Sequence, residues 1–469
     1  MELTSGQVTT LMLDICWLSV LLLIGKLLRV KVKLFQRLFL PASLIAGFIG
    51  LFLGTSALGR TGFVVIPQEM IKTWGTFPGH LINIVFASLF LGFSIPSIKT
   101  MWHEGGPQLC YGWIVGTGQY VVGLGLGIIL LTPVFRVPEF FGCLLEIGFS
   151  GGHGTASGMK EVFNKQVNFP AGGDLGLMSA TVGIIVAVVF GMWLINIAVR
   201  RGDTALLKKT DKIGFVSMDG LIPKEKRSPG SLITISPDAL EPFAFHSAII
   251  SVAILFGWFL LNGLQSLTAG REPDIFKGFP LFPLAMIGGI IIQLAGDRLG
   301  FSKYFDKQTF DRIMGTALDY LVVSAIASIR IDVFLAYFWP FTLLMITGTL
   351  WVIAATYFIA PRMLPDVWFE RSIVEYGMQT GVTAIGLLLL RVVDPHFKTP
   401  AAKAFGFKQM IYEPFLGGGF ITAVMPILIV IYGIGKVFIG SILTVIFFFS
   451  LAYFSGWVHT SRRTPAVKS

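Results

Sequence analysis

Charge is what this chain has least of. Only 13% of its 469 residues are Asp, Glu, Lys or Arg, about half the share found in soluble domains. Cysteine is scarce as well. Cys16, Cys110 and Cys143 show no metal-ligand spacing and all fall in apolar segments, where they read as small buried residues. No HExxH pair and no GxxxxGK[ST] loop occurs, which leaves a zinc protease and a P-loop nucleotide enzyme without their central groups.

What the chain has instead is hydrocarbon. Hydrophobic residues make up 54% of it and the mean hydropathy is +0.77. Apolar runs of about 20 residues recur along its length, each long enough to cross a bilayer. The expected class is an all-α polytopic membrane protein. The net charge of +10 does not point to nucleic acid, because the basic residues gather between apolar runs and set orientation.

The first run, Val8 to Ile24, is followed at once by Lys26, Arg29, Lys31, Lys33 and Arg37. A cleavable signal carries its charge before the run, so this one is read as a retained span with its basic flank in the cytoplasm and the N-terminus outside. Further spans are expected near 38–58, 77–98, 108–131 and 174–199. A central cytoplasmic loop over 200–242 follows, with eight Lys or Arg against four acids between Arg200 and Arg227. The second half predicts spans near 243–264, 278–296, 313–330, 338–360 and 409–434. An extra one at 437–457 and a basic tail with Arg462 and Arg463 place the C-terminus in the cytoplasm. Two segments, about 139–160 and 372–391, are read as re-entrant. Phe140 to Phe149 is too short to cross, since ten helical residues rise only about 15 Å. Making the second re-entrant keeps Arg362, Arg371, Arg391, Lys398, Lys403 and Lys408 on one side.

These two segments carry the polar residues of interest. EIGFSGGHGT at 146–155 aligns without a gap on EYGMQTGVTA at 375–384, so that Glu146, Gly148 and Gly152 fall over Glu375, Gly377 and Gly381. PASLIAG at 41–47 likewise matches PLAMIGG at 283–289, in spans of opposite expected direction. The domain reading is therefore a first repeat, 1–199, and a second inverted repeat, 243–434. Each has five spans and one re-entrant broken helix, and an extra C-terminal helix follows in 435–469. Paired broken helices at matching positions point to a secondary transporter's binding site. Irregular backbone is tolerated at membrane depth only inside protein or beside a watery cavity.

Glu146 and Glu375 fit either interfacial anchors or intramembrane groups for Na⁺, H⁺ or a substrate ammonium. His153 fits a packing histidine or a ligand contact. Ser150, Thr155, Gln379, Thr380 and Thr383 fit caps of broken helices or the lining of a site. Asp319, mid-span, fits ion coupling or a water-filled crevice, while Asp14 and Glu413 are expected nearer interfaces. Gly112, Gly116, Gly123 and Gly127 read as close helix packing. An integral-membrane enzyme using His153 with Glu146 or Glu375 is the less favoured reading, since catalysis gives no reason for a duplicated site.

At GFSGGHGTASGM, 148–159, the sequence resembles the bacterial glutamate:sodium symporter family, which carries a similar SGGHGT element in its first re-entrant region. GMQTGVTAIG at 377–386 is similar to its second element. The resemblance implies Na⁺-coupled uptake of L-glutamate, a homodimer in the inner (plasma) membrane, an elevator-like moving core, and no cofactor beyond Na⁺ as coupling ion. It implies that Ser150, Gly151, Gly152, His153, Gly154 and Thr155 line the site from one side. Gly377, Gly381 and Thr383 would line it from the other. Relative to that family pattern, the acids at 146 and 375 and the final span are additions. Two carboxylates beside a dianion repel it unless they are neutralised. No intramembrane Arg stands ready for the substrate, Arg391 being nearest in sequence. The alternatives are a Na⁺- or H⁺-coupled carrier of another carboxylate or amino acid, or a channel or sensor on the same scaffold.

Overall fold

The computed structural model describes residues 5–37, 40–55, 58–61, 64–93, 97–206, 229–270, 276, 279–395 and 397–459. Every regular element among them is a helix, and no strand occurs. In chain order the helices used below are α1 (Ser5–Lys31), α2 (Ala42–Leu53), α3 (Phe77–Ser88), α4 (Ile98–Leu126) and α5 (Leu144–Phe149). Then come α6 (Gly152–Gly158), α7 (Gly172–Arg201), α8 (Pro242–Thr268), α9 (Phe282–Leu299), α10 (Lys307–Ala327) and α11 (Phe338–Ala354). The last are α12 (Trp368–Gly381), α13 (Thr383–Val393), α14 (Ala401–Tyr412), α15 (Phe420–Tyr432) and α16 (Ile434–Phe454).

Among the described residues seven helices are long and apolar enough to cross a membrane: α1, α4, α7, α8, α9, α11 and α16, with α4 continuing to Phe135 and α11 to Met363. Their residues are apolar all round rather than on one stripe, as hydrocarbon on every side requires. The chain is thus a multi-pass membrane protein.

Four expected spans come out differently. The run at 313–330 falls mostly in α10, a helix that is not among the seven. The runs at 38–58 and 77–98 yield α2 and α3, of 12 residues each. Such helices rise about 18 Å, well short of a bilayer core. Pro41 and Gly54 bound α2 at its two ends. The run at 409–434 is not one helix, because α14 ends at Tyr412 and α15 begins at Phe420. Between them lie three glycines in a row, and Gly417 and Gly418 take φ of 71° and 108°. Most of the expected central loop, 207–228, and the tail with Arg462 and Arg463 lie outside the described residues. Cys16 sits on an exposed face of α1, whereas Cys110 and Cys143 are buried as expected.

The chain divides into two compact units that interleave along the sequence. The first comprises Met1–Ile95, Ser157–Glu161 and Ser217–Val333. Its core packs Leu18, Leu21 and Ala46 against Trp74, Val323 and Ala327. A second cluster joins Ala253, Ala285, Phe305 and Phe310. Helices α8 and α9 approach closely where Gly257 meets the Ala285 backbone and Gly288 the Ala253 backbone. Asp14, expected nearer an interface, is fully buried here, and the Trp74 indole donates to it at 3.2 Å.

The second unit comprises Pro96–Ala156, Val162–Val216 and Phe334–Ser469. Small residues again set its close crossings: Gly123 lies on the Gly142 backbone, Gly191 on Leu389 and Gly348 on Leu145. Both segments read from the sequence as broken helix are broken, and both breaks lie in this unit. The first interrupts at Ser150 and Gly151, between α5 and α6. The second turns at Val382, between α12 and α13.

Candidate functional site

The two breaks meet. Gly152, at φ 69°, lies so close to Val382 that an added Cβ would collide with the valine Cγ1. Glycine is therefore required there twice, by conformation and by space. Val382 itself has φ 77° and ψ 163°, a region essentially reserved for glycine, whose use by another residue costs about 1–3 kcal/mol. A β-branched residue held there marks a backbone fixed by its surroundings.

Around these tips the second unit buries an extended polar network. Glu146 and Glu375 are both fully buried, so neither is an interfacial anchor. Glu146 accepts three hydrogen bonds: from the Tyr120 hydroxyl at 2.5 Å, the Gly417 N–H at 2.8 Å and the Thr422 hydroxyl at 3.1 Å. Gly417 can aim its N–H this way because its positive φ turns the peptide inward. Three donors thus satisfy a carboxylate that is shut away from solvent. No Lys or Arg among the described residues pairs with it.

Glu375 does have a cation. Lys408 Nζ lies 2.7 Å from Glu375 Oε1, and both side chains are 0% exposed. Lys408 also donates to Gln409 Oε1 at 2.7 Å and lies 3.5 Å from the centre of the Tyr412 ring, a cation–π contact. Glu375 further accepts from Gln108 at 3.0 Å and Gln379 at 2.9 Å. The Gln379 amide reaches the Tyr412 hydroxyl at 3.0 Å and the Gly112 carbonyl at 3.2 Å. Ser150 Oγ and the Tyr412 hydroxyl are 3.4 Å apart, and Gln409 donates to Thr383 Oγ1 at 2.8 Å. The network thus runs from the first break, through Tyr412, Gln379, Glu375 and Lys408, to the start of α13.

Helix α4 is shaped to receive it. A Cβ on Gly112 would fall on Lys408 Cε and within 3.0 Å of Glu375 Oε1, and one on Gly116 would fall on the Tyr412 hydroxyl. Gly123 and Gly127 pack on the Gly142 backbone and on Ile434. All four glycines are close-packing residues, and at 112 and 116 what packs there is the polar network itself.

Of the residues singled out in the sequence, Ser150, Glu375, Gln379 and Thr383 are joined in this network, and Glu146 is held beside it by its own three donors. His153 lies apart, its Nε2 3.0 Å from Thr181 Oγ1. Thr155 is buried with no hydrogen-bond partner for its hydroxyl, and Gly154 is buried beside it on α6. Gly151 lets α5 turn into α6, with Thr155 Cβ 2.8 Å from where its own Cβ would be. The Thr380 hydroxyl is taken by the Tyr376 carbonyl at 2.6 Å. Gly377 packs against Gly386 and Gly381 against Ala187. Asp319 belongs to the first unit, on an exposed face of α10, and takes no part in the network. Arg391 is exposed and rests on the Phe397 ring at 5.2 Å.

The residues that sequence reasoning missed are Lys408, Gln409, Tyr412, Tyr120, Gln108, Gly417 and Thr422, together with Gln119, whose amide donates to the Gln379 carbonyl at 2.8 Å. Lys408 was grouped with a basic cytoplasmic loop. Its usable signal was the four-residue spacing to Tyr412, which puts both on one helix face. The run of three glycines at 417–419 was the signal for the third interruption. Behind Tyr120 a cavity of about 490 Å³ lies between α4, α15 and α16, lined by Trp113, Thr117, Met425 and Val437 among others. Its walls are mostly apolar, the wrong chemistry for a zwitterionic dicarboxylate.

The described residues contain no group of three or more His, Cys, Asp and Glu able to hold a metal ion. Around the Gln379 amide nitrogen, by contrast, a carboxylate, a phenol and a backbone carbonyl oxygen converge, a donor set of the kind that suits a hard monovalent cation.

The model of the sodium/glutamate symporter family matches residues 7–367. A sodium/glutamate symporter of Escherichia coli K12 is 21% identical over 366 residues, covering 77% of this chain and 83% of the relative. One from Shigella flexneri matches to the same extent. The family match ends just before α12, so Glu375 and Lys408 lie beyond it. The chain belongs to the sodium/glutamate symporter family and is a membrane transporter rather than an enzyme.

Proposed function

We propose that the protein takes up L-glutamate, or a closely related amino acid or carboxylate, by symport with Na⁺ through elevator-like alternating access. The observation that carries this reading is the buried network at the meeting of two broken helices, which offers a cation and two carboxylates to a zwitterionic dicarboxylate and its coupling ion. Lys408 supplies the positive charge that a substrate carboxylate needs. Glu146, held by three donors and no cation, suits a substrate ammonium or Na⁺. Ser150, Gly151, Gly152, His153, Gly154 and Thr155 would line the site from the first broken helix. Gly377, Gln379, Thr380, Gly381 and Thr383 would line it from the second.

A repeat is supported by an offset that two pairs of positions share. Glu146 and Glu375 are 229 residues apart, and so are Gly172 and Ala401, the first residues of α7 and α14. A homodimer in the inner membrane, with the N-terminus outside and the C-terminus in the cytoplasm, completes the reading. The test is uptake of radiolabelled L-glutamate into proteoliposomes with and without an inward Na⁺ gradient, the parent run beside Glu146→Gln. Gradient-driven accumulation that the substitution abolishes is expected. Uptake indifferent to Na⁺ would remove the symport reading, and no glutamate uptake with Na⁺-dependent uptake of another amino acid would replace the substrate.

A further inference from the structure

The Glu375–Lys408 pair raises a question of charge. A buried pair is stable as a pair, but removing either partner strands the other in a medium that solvates it poorly. A substrate carboxylate arriving alone could bind Lys408 only by displacing Glu375, leaving a bare buried carboxylate. Na⁺ arriving alone could bind Glu375 only by displacing Lys408, leaving a bare buried ammonium. The two arriving together leave no charge unpaired, because lysine takes the carboxylate and glutamate takes the cation.

We propose that this pair is the element that couples substrate to ion, by exchange of partners: Glu375 and Lys408 part, Lys408 receives a substrate carboxylate, and Glu375 receives Na⁺. The inference rests on the symport reading above. Charge balances across the step, one internal ion pair giving two external ones with no proton or bond transferred.

The surroundings fit both halves of the exchange. Oxygens able to complete a cation site already converge on one point, since Glu375 Oε1, the Tyr412 hydroxyl and the Gly112 carbonyl lie 2.9, 3.0 and 3.2 Å from the same Gln379 amide nitrogen, which would turn aside for the ion. Lys408, on its Tyr412 ring, keeps one face of its ammonium charge compensated while it changes partners. The pair is also wired to both tips. Tyr412 reaches Ser150 before the first turn and Gln409 reaches Thr383 after the second, so a change of partner is felt where the two broken helices touch.

Coupling of this kind has a measurable size, typically about 5- to 150-fold in affinity, and is reciprocal between the two ligands. The experiment is equilibrium binding of radiolabelled L-glutamate to the purified full-length protein, with Na⁺ or with choline in its place. The parent is compared with Glu375→Gln, Lys408→Met and the double variant, and melting curves are taken with each ion. In the parent, Na⁺ should tighten glutamate binding within that range. In Glu375→Gln, glutamate binding should persist while the ratio of affinities with and without Na⁺ falls towards one. In Lys408→Met, glutamate binding should be lost under both conditions, while Na⁺ alone should now raise the melting temperature. The double variant should show neither response.

Glu375→Gln with the parent's Na⁺ ratio, or Lys408→Met with the parent's glutamate affinity, would overturn the inference and leave the symport reading standing. A parent that binds glutamate no better in Na⁺ would overturn the symport reading itself. Should Glu375→Gln not survive purification, the Na⁺ response of Lys408→Met and of the double variant decides the matter.

Discussion

Gly112→Ala tests the geometry of the buried pair with a single methyl group. The added Cβ falls on Lys408 Cε, 3.0 Å from Glu375 Oε1 and 3.2 Å from Lys408 Nζ. Two responses are open. Lys408 could withdraw, but breaking a buried ion pair costs about 3–5 kcal/mol. Alternatively α4 and α14 could separate slightly, and overpacking of this kind costs about 1–3 kcal/mol. The cheaper response wins, so the expected loss is about 1–3 kcal/mol, which is roughly a 5- to 160-fold change in the folding equilibrium. Gly440→Ala on α16 is the control, since nothing lies within 4 Å of its added Cβ. Na⁺-driven glutamate uptake and thermal unfolding should both fall for Gly112→Ala and stay at the parent level for Gly440→Ala. A Gly112→Ala protein that melts and transports like the parent would refute the seating of Lys408 against α4.

Three further outcomes are expected. Tyr120→Phe removes one of three donors to Glu146, a charge-assisted bond worth about 1.5–3 kcal/mol; thermal unfolding should show the loss, and a parent-like curve would deny that Tyr120 holds this carboxylate. Val382→Gly relieves a backbone conformation costing about 1–3 kcal/mol, so it should melt no lower than the parent despite losing an isopropyl group, and a clearly lower melting temperature would count against the strained turn.

Asp306, the N-cap of α10, should make the first unit acid-sensitive. Burial alone would raise its pKa, but hydrogen bonds from the Thr309 hydroxyl and the backbone N–H groups of Leu232, Thr309 and Gln308 outweigh that and hold it below the usual carboxylate value. A depressed folded-state pKa contributes stability above the ordinary carboxylate range, and that contribution is lost as the pH falls through the depressed value. Asp306→Ala, which removes the cap at a cost of about 0.5–2 kcal/mol, should therefore melt lower than the parent at neutral pH and approach it in acid. A gap that does not change with pH would refute the sign.

The class of the protein and the two broken helices were legible in the sequence because both are local. Hydrocarbon thickness dictates runs of about 20 apolar residues, and glycines such as Gly151 and Gly152 announce a break wherever they fall. Glu146 and Glu375 could be singled out because acids are rare in such runs and these two share one register. Their partners could not be found in that way. Lys408 looks in sequence like any anchor between spans, and only the packing of α14 against the glycine face of α4 shows that it is sealed beside Glu375. Gly417 and Thr422 are 271 and 276 residues from Glu146, and nothing along the chain links them to it. Asp319 and Arg391 were plausible by residue type and proximity in sequence, yet neither is part of the buried network. Composition and spacing determine where helices form and where they break, since those depend on near neighbours and on the solvent. Which charge faces which is decided by helices brought together across hundreds of residues, and an unpaired charge costs enough in a buried site that this arrangement fixes the chemistry.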